Sequence, residues 1–267
     1  MKGSVASVCL LLICAGRAFA QAPDTVLLEE LTWTELRELI GLKTTTIIVP
    51  VGGTEQNGPH MTLGKHNVRV KVLSEKIARG LGHTLVAPVI AYVPEGRLSP
   101  ATGHLRFPGT VTVPDETFQT VLEYAARSFR LHGFRDIVFL GDHGGTQAAQ
   151  KTVADRLNRE WAATAVRVHA VEDYYRAADV DFPRFLRTRG YREEELGSHA
   201  GLADTSLMLA VDPRVVRSGR LQPGPGSREA SGVSGDPSRA SAELGQLGVE
   251  LIVSRTVDAI RKSIARR

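Results

Sequence analysis

Beyond residue 20 the chain contains no cysteine, because Cys9 and Cys14 both fall within the first twenty residues. A thiol nucleophile, a disulfide framework and a cysteine-bound metal are thereby excluded from the rest of the protein. Any metal site must be built from His, Asp, Glu and similar donors. There is no Gly-x-Ser-x-Gly nucleophile elbow, which argues against a serine hydrolase. No run of Lys and Arg with interleaved aromatics occurs, so nucleic acid is not an expected partner. No stretch after the first twenty residues is apolar enough to cross a bilayer, and no membrane partner is expected once that leader is removed.

The leader itself reads as a secretory signal peptide. Lys2 supplies the positive start, Val5 to Ala15 the apolar core, and Ala18-Phe19-Ala20 a small-residue cleavage site before Gln21. Ile13 before Cys14 is too large for a lipoprotein cleavage site, which argues against a lipid anchor. A periplasmic or secreted location follows as an expectation. Loss of Lys2 and Arg17, with no acid lost, lowers the formal charge from +4 to +2, so the sequence pI of 9.2 overstates how basic the mature chain is. Residues 21–267, about 247 in number, suit a single large domain with a well-buried core.

Hydrophobic spacing predicts alternating helices and strands. Thr32-Trp33-Thr34-Glu35 is a capping box opening a helix over 33–42, followed by a strand over 46–51. Val68, Val72, Leu73, Ile77 and Leu81 predict a helix ending at Gly80 to Gly82. A strand over 85–90 carries Pro88, which suits an edge or a bulge. Further helices are predicted over 116–132, 146–162, 201–210 and 239–263, with strands over 137–140 and 166–171. Such alternation implies an α/β fold with a mainly parallel sheet and helices on both faces. The Gly/Pro-dense stretch 219–238 reads as a long loop.

Three loops concentrate the chemistry. The first, Gly52-Gly53-Thr54-Glu55-Gln56-Asn57-Gly58-Pro59-His60 running on to Gly64-Lys65-His66, follows the strand 46–51. Open α/β sheets bind ligands beyond the carboxyl ends of their strands, and crowded carboxylates and imidazoles there suit a divalent ion of the zinc or manganese kind. The second, Gly141-Asp142-His143-Gly144-Gly145-Thr146, follows the strand 137–140. Its Asp142 could equally cap the helix that begins there. The third is Ser198-His199-Ala200-Gly201-Leu202-Ala203-Asp204-Thr205-Ser206, where Asp204 also suits a helix start. Thr102-Gly103-His104 adds a further imidazole in a glycine-rich loop. His83, His132 and His169 have no clustered partners and read as structural or surface residues.

These motifs, with Phe107-Pro108-Gly109-Thr110 and Gly232-Val233-Ser234-Gly235-Asp236-Pro237, resemble in order and spacing those of the creatininase (creatinine amidohydrolase) family. The resemblance implies a three-layer creatininase-like fold, hydrolysis of amide-type C–N bonds in small molecules, divalent metal ions and a homo-oligomer, the family hexamer. It implies Glu55 and His143 as metal ligands and His199 as the proton donor. Asp204 stands where many members have a ligating Glu. Asn57 replaces a ligating histidine, and His66 replaces a bridging aspartate. A neutral imidazole offers one lone pair where a carboxylate bridges with two oxygens, so one tightly held ion is expected, with a second weak or absent. Glu55, His66, His143 and Asp204 would close around it, or three of them would, leaving room for water. Zinc is the first expectation and manganese the second. Asn57, His60, His104, Gly144 and Gly145 are the expected substrate contacts. The alternatives are a catalytically decayed metal- or ligand-binding member, or a metal-dependent lactonase or esterase.

Overall fold

The computed structural model describes residues 23–221 and 231–266. The expected signal peptide and the middle of the loop 219–238 lie outside the described residues. Four strands, β1 (Thr46–Val51), β2 (Thr84–Val86), β3 (Asp136–Gly141) and β4 (Arg167–Ala170), form a parallel sheet in the order β2-β1-β3-β4. Along β1 the side chains alternate between two cores, as the pleat requires. Ile47, Val49 and Val51 face one core with α1 (Trp33–Gly41), α3 (Asp115–Leu131) and α4 (Gln147–Glu160). Ile48 faces the other, with α2 (Lys65–Leu81), α5 (Asp173–Arg176), α6 (Phe182–Thr188), α8 (Leu202–Val211) and α9 (Ala242–Ala265). The short α7 (Glu193–Leu196) contributes Leu196 to that second core. This is the expected three-layer α/β arrangement.

The chain runs from β1 to β2 on one side, then crosses to β3 on the other. The carboxyl ends of β1 and β3 therefore flank a point where strand order reverses, the place where such sheets hold ligands. The second loop lies there, since Asp142 N–H donates to the Val51 carbonyl at 2.9 Å. Pro50 is tolerated because its side of β1 faces β2, whose ladder has already ended at Ile48; the Pro50 carbonyl still accepts from Ile90 N–H at 3.0 Å.

Several elements depart from the sequence expectation. β2 stops at Val86 instead of reaching residue 90, since Pro88 cannot continue a ladder, though the edge position it suggested is correct. In α2 the buried stripe is His66, Arg69, Val70, Leu73 and Ile77, whereas Val68 and Val72 are only half-buried. Burial of Leu73 and Ile77, each worth about 1.5–3 kcal/mol, sets the rotation of this helix. That rotation turns the polar residues of its first turns toward the loops. The helical segment 173–188, including a π-helical turn at Ala177–Asp181, was not predicted. The capping box is present: Thr32 N–H donates to the Glu35 carboxylate at 2.7 Å, and Glu35 N–H returns to the Thr32 hydroxyl.

Candidate metal centre

Glu55 sits four residues past β1, with its N–H donating to the Leu63 carbonyl and its side chain 1 % exposed. Four of the chain's eight histidines converge on that carboxylate. His66 Nε2 lies 2.7 Å from Oε1, and His199 Nδ1 lies 3.7 Å from the same oxygen. His143 Nε2 and His104 Nε2 approach Oε2 to 3.5 and 3.6 Å. These last contacts are too long to satisfy it, and Oε2 is left buried with no hydrogen-bond partner among the described residues. Two donor groups compatible with a metal ion result, Glu55–His66–His143 and Glu55–His104–His199, joined at Glu55.

The first group is the better braced. His66 Nδ1 meets Asp142 Oδ1 at 2.5 Å, which leaves Nε2 for the Glu55 side. Asp142 is in turn fixed by Arg69 Nε at 2.9 Å and by the Tyr174 hydroxyl at 2.6 Å. A carboxylate holding the rear nitrogen of a histidine is the usual support of a metal-binding imidazole. Asp142 therefore orients His66; it does not cap the following helix, whose N-cap Thr146 has no side-chain cap bond. In the second group, His199 Nε2 donates to the Gln56 carbonyl at 2.9 Å. His104 Nδ1 takes the Gln56 amide nitrogen at 2.5 Å.

Three sequence expectations need correction. Asp204 does not join the histidines, because Lys65 Nζ and Arg69 Nη1 each hold one of its oxygens at 2.6 Å. Oδ2 also accepts from Ala200 N–H at 3.0 Å. Asn57 and His60 do not line the cavity. Both are fully buried; Asn57 donates to the Glu55 and Thr62 carbonyls, and His60 Nε2 pairs with the Thr205 hydroxyl at 3.0 Å. They shape the turn and leave the ligand to others. His104, Gly144 and Gly145 do line the cavity, about 200 Å³ in volume, with Glu55, His66, His143 and His199. Gly144 leaves room for Tyr175, whose hydroxyl would lie 2.6 Å from a Cβ at that position. The histidines set aside behave as expected: His83 and His132 are exposed, and His169 is buried between Asp136 and Ser263.

Sequence reasoning missed Lys65, Arg69, Glu95 and the Tyr175–Asp179 edge of the cavity. Lys65 is 1 % exposed overall, with Nζ between Asp204 and Glu55 Oε1, the latter at 3.9 Å. Burial opposes ionisation of Asp204, and the Lys65 and Arg69 charges overcome it, holding the carboxyl well below its usual range. Burial likewise works against Glu55, and His143, His66 and Lys65 outweigh it. Glu95 behaves in the opposite way, with burial and then the Glu55 charge pushing it up to about 9. Burial and the Lys65 charge depress His199 to about 3.

A donor set of imidazole nitrogens and carboxylate oxygens, with a buried orphan oxygen at its centre, fits a zinc- or manganese-type ion. A model of the creatininase family, described as creatinine amidohydrolase, matches residues 29–260. The chain belongs to the creatininase family. It is similar to creatinine amidohydrolase of Pseudomonas putida, at 26 % identity over 89 % of this chain and 97 % of that one. It is also similar to 3-dehydro-scyllo-inosose hydrolase of Thermotoga maritima, at 32 % identity over 72 % of this chain and 58 % of that one. The mycofactocin precursor peptide peptidase of Mycobacterium ulcerans is 27 % identical over 83 % and 85 %. Among solved structures, a creatininase crystal structure aligns with a TM-score of 0.74 at 25 % identity, covering 91 % of this chain and 99 % of that one. A manganese creatininase and a Zn–Zn variant creatininase each align at 0.72 and 26 % identity, covering 90 % and 91 % of this chain and 99 % of theirs. This creatininase-family chain is thus a hydrolase by family, and its relatives are metal-dependent.

Proposed function

We propose that the protein is an exported, metal-dependent hydrolase of an amide-type C–N bond in a small molecule, working with one tightly held divalent ion. The observation that carries this reading is the buried Glu55 carboxylate, faced by four imidazoles and left with an unpartnered oxygen. Glu55, His66 and His143 would hold the ion. When bound, it would supply Lewis acidity toward a substrate carbonyl and toward water. Export is supported by the leader 1–20 alone.

The remaining work falls to this chain's own side chains. The Gln56 carbonyl only accepts hydrogen bonds, so His199 carries its hydrogen on Nε2 and presents the Nδ1 lone pair toward Glu55. Hydrolysis adds the oxygen of water to the carbonyl carbon, breaks the C–N bond and places a proton on the departing nitrogen. His199 Nδ1 would take the proton released by water and return it to that nitrogen. The sequence-based role of proton donor is therefore preceded by one of acceptor. Lys65 and Arg69 would keep Asp204 and Asp142 neutralised, so that these acids do not compete for the ion. A cavity of about 200 Å³ suits a small molecule better than a folded polypeptide.

The test is turnover across lactams, linear amides, lactones and short peptides, with metal present, chelated and restored. At least one amide should be cleaved, the activity should vanish on chelation and return with zinc or manganese. His199→Ala should keep the metal and lose roughly 10²–10⁴ in turnover. Cleavage of lactones with no amide cleaved would replace this reading by the esterase one. Metal bound with no turnover of any of them would favour the decayed binder.

A further inference from the structure

We propose that Glu95 is itself a ligand of the ion held by Glu55, His66 and His143, completing a site whose fourth donor the family-like loops do not supply. The inference rests on the metal reading above and goes beyond it, because Glu95 lies in none of those loops. It sits in the segment between β2 and the glycine-rich loop, with its N–H donating to the Thr112 hydroxyl at 2.9 Å. Its side chain is 1 % exposed.

The geometry separates a ligand from a support. Oε2 of Glu95 lies 3.2 Å from Nε2 of His143, the ring nitrogen that also faces Glu55 Oε2 at 3.5 Å. A carboxylate that orients a metal-binding histidine grips the opposite nitrogen. Asp142 does this for His66, taking Nδ1 while Nε2 faces Glu55. On His143 the opposite nitrogen, Nδ1, is already served by Gly145 N–H at 3.2 Å. Glu95 is thus on the ion's side of the imidazole, beside Glu55.

Two oxygens in this small volume, Glu55 Oε2 and Glu95 Oε1, are buried with no hydrogen-bond partner. Unpaired buried carboxylate oxygens cost several kcal/mol unless a proton or a cation meets them. The chain's own buried cations are engaged elsewhere, Arg69 with Asp142 and Asp204, and Lys65 chiefly with Asp204. Space for the Glu95 carboxylate is kept by Gly53, where φ is 153° and a Cβ would lie 3.0 Å from Glu95 Oε1. With Glu95 added, the Glu55–His66–His143 group would become a set of two carboxylates and two imidazoles, of hard and borderline character suited to zinc or manganese.

The experiment uses the full mature chain and zinc alone as the probe. Zinc affinity is measured by chelator competition for the natural protein and for Glu95→Gln, and the zinc-loaded natural protein is crystallised. A Glu95 oxygen should lie within about 2.0–2.2 Å of the ion. Glu95→Gln should weaken zinc binding by more than the roughly 10–100-fold that loss of an outer partner costs. If zinc binds while the Glu95 carboxylate stays beyond about 3 Å, Glu95 is a positioning residue and this inference fails, with the metal centre intact. If the natural protein takes up no zinc or manganese at all, the proposed function falls and this inference with it. The crystal structure needs no variant, so a misfolded Glu95→Gln would not blunt the test.

Discussion

The two walls of the cavity carry similar acids in opposite conditions. On one, Asp142 and Asp204 are each met at hydrogen-bond distance by protein cations, through Arg69 and Lys65, and Tyr174 closes the remaining side of Asp142. On the other, Glu55, joined by Glu95 beside His143, is buried against imidazoles, and each of these two acids keeps an oxygen with no hydrogen-bond partner among the described residues. The difference teaches where charge is missing. The first wall is finished by the chain, so it belongs to the fold. The second is left for a proton or an ion to finish, and a divalent cation has the right charge and donor preference. Acid content alone ranks the walls alike, and the family pattern that offers Asp204 as a ligand does not record the cations beside it.

The largest effect is expected from opening the closed wall. Arg69→Met leaves the buried Asp142 without its cation and the half-buried Asp204 with Lys65 alone, and breaking such a buried pair costs about 3–5 kcal/mol. For a domain of this size Tm should fall by on the order of 10 °C. Added zinc should raise the Tm of the variant and of the natural protein alike and leave the gap between them, because the lost partner serves the fold and not the ion. Closure of that gap by zinc would mean that the two walls are interchangeable, and the comparison would break.

A smaller effect concerns the open wall without its ion. An unfolded Glu95 carboxyl ionises near its ordinary value of 4.5, whereas in the fold burial and Glu55 hold its proton until about 9. Between those values the folded chain binds more protons than the unfolded one, so stability should fall as pH rises across that window. In metal-free protein, Glu95→Gln should flatten that slope in denaturant titrations between pH 5 and 9. An identical slope in the variant would show that Glu95 feels no uncompensated charge.

The smallest effect sharpens the comparison from outside it. Thr32→Ala removes the hydroxyl partner of Glu35 N–H in the exposed capping box of α1. Tm should drop by only a few degrees and zinc affinity should be unchanged. A change in zinc affinity would mean that the metal centre is coupled to the whole domain's stability.

Much of this was legible in the residues. The short apolar runs around Ile47 and Ile137 and the capping box at Thr32 locate the sheet and its first helix. The loop motifs carried Glu55, His66, His143 and His199 to one place. What remained hidden follows from physics that loop motifs do not record. Lys65 and Arg69 are inward because burial of Leu73 and Ile77 fixes the rotation of α2. In sequence they resemble an ordinary solvated helix start. Glu95 lies between Pro94 and Gly96, where a lone carboxylate reads as surface, and only the tertiary approach to His143 gives it meaning. Asp204 looked like a ligand because its competitors Lys65 and Arg69 are more than 130 residues away in sequence. The segment 173–188, which brings Tyr174 to Asp142 and Tyr175 to the cavity, lacks a clear helical apolar stripe.

The central claim is that the open wall holds one divalent ion through Glu55, His66 and His143. Its most direct test is elemental analysis of the purified mature protein after zinc loading and gel filtration, beside His143→Ala treated identically. The account predicts about one ion per chain in the natural protein and none in the variant. Two ions per chain at full occupancy, or zinc retained in His143→Ala, would contradict it.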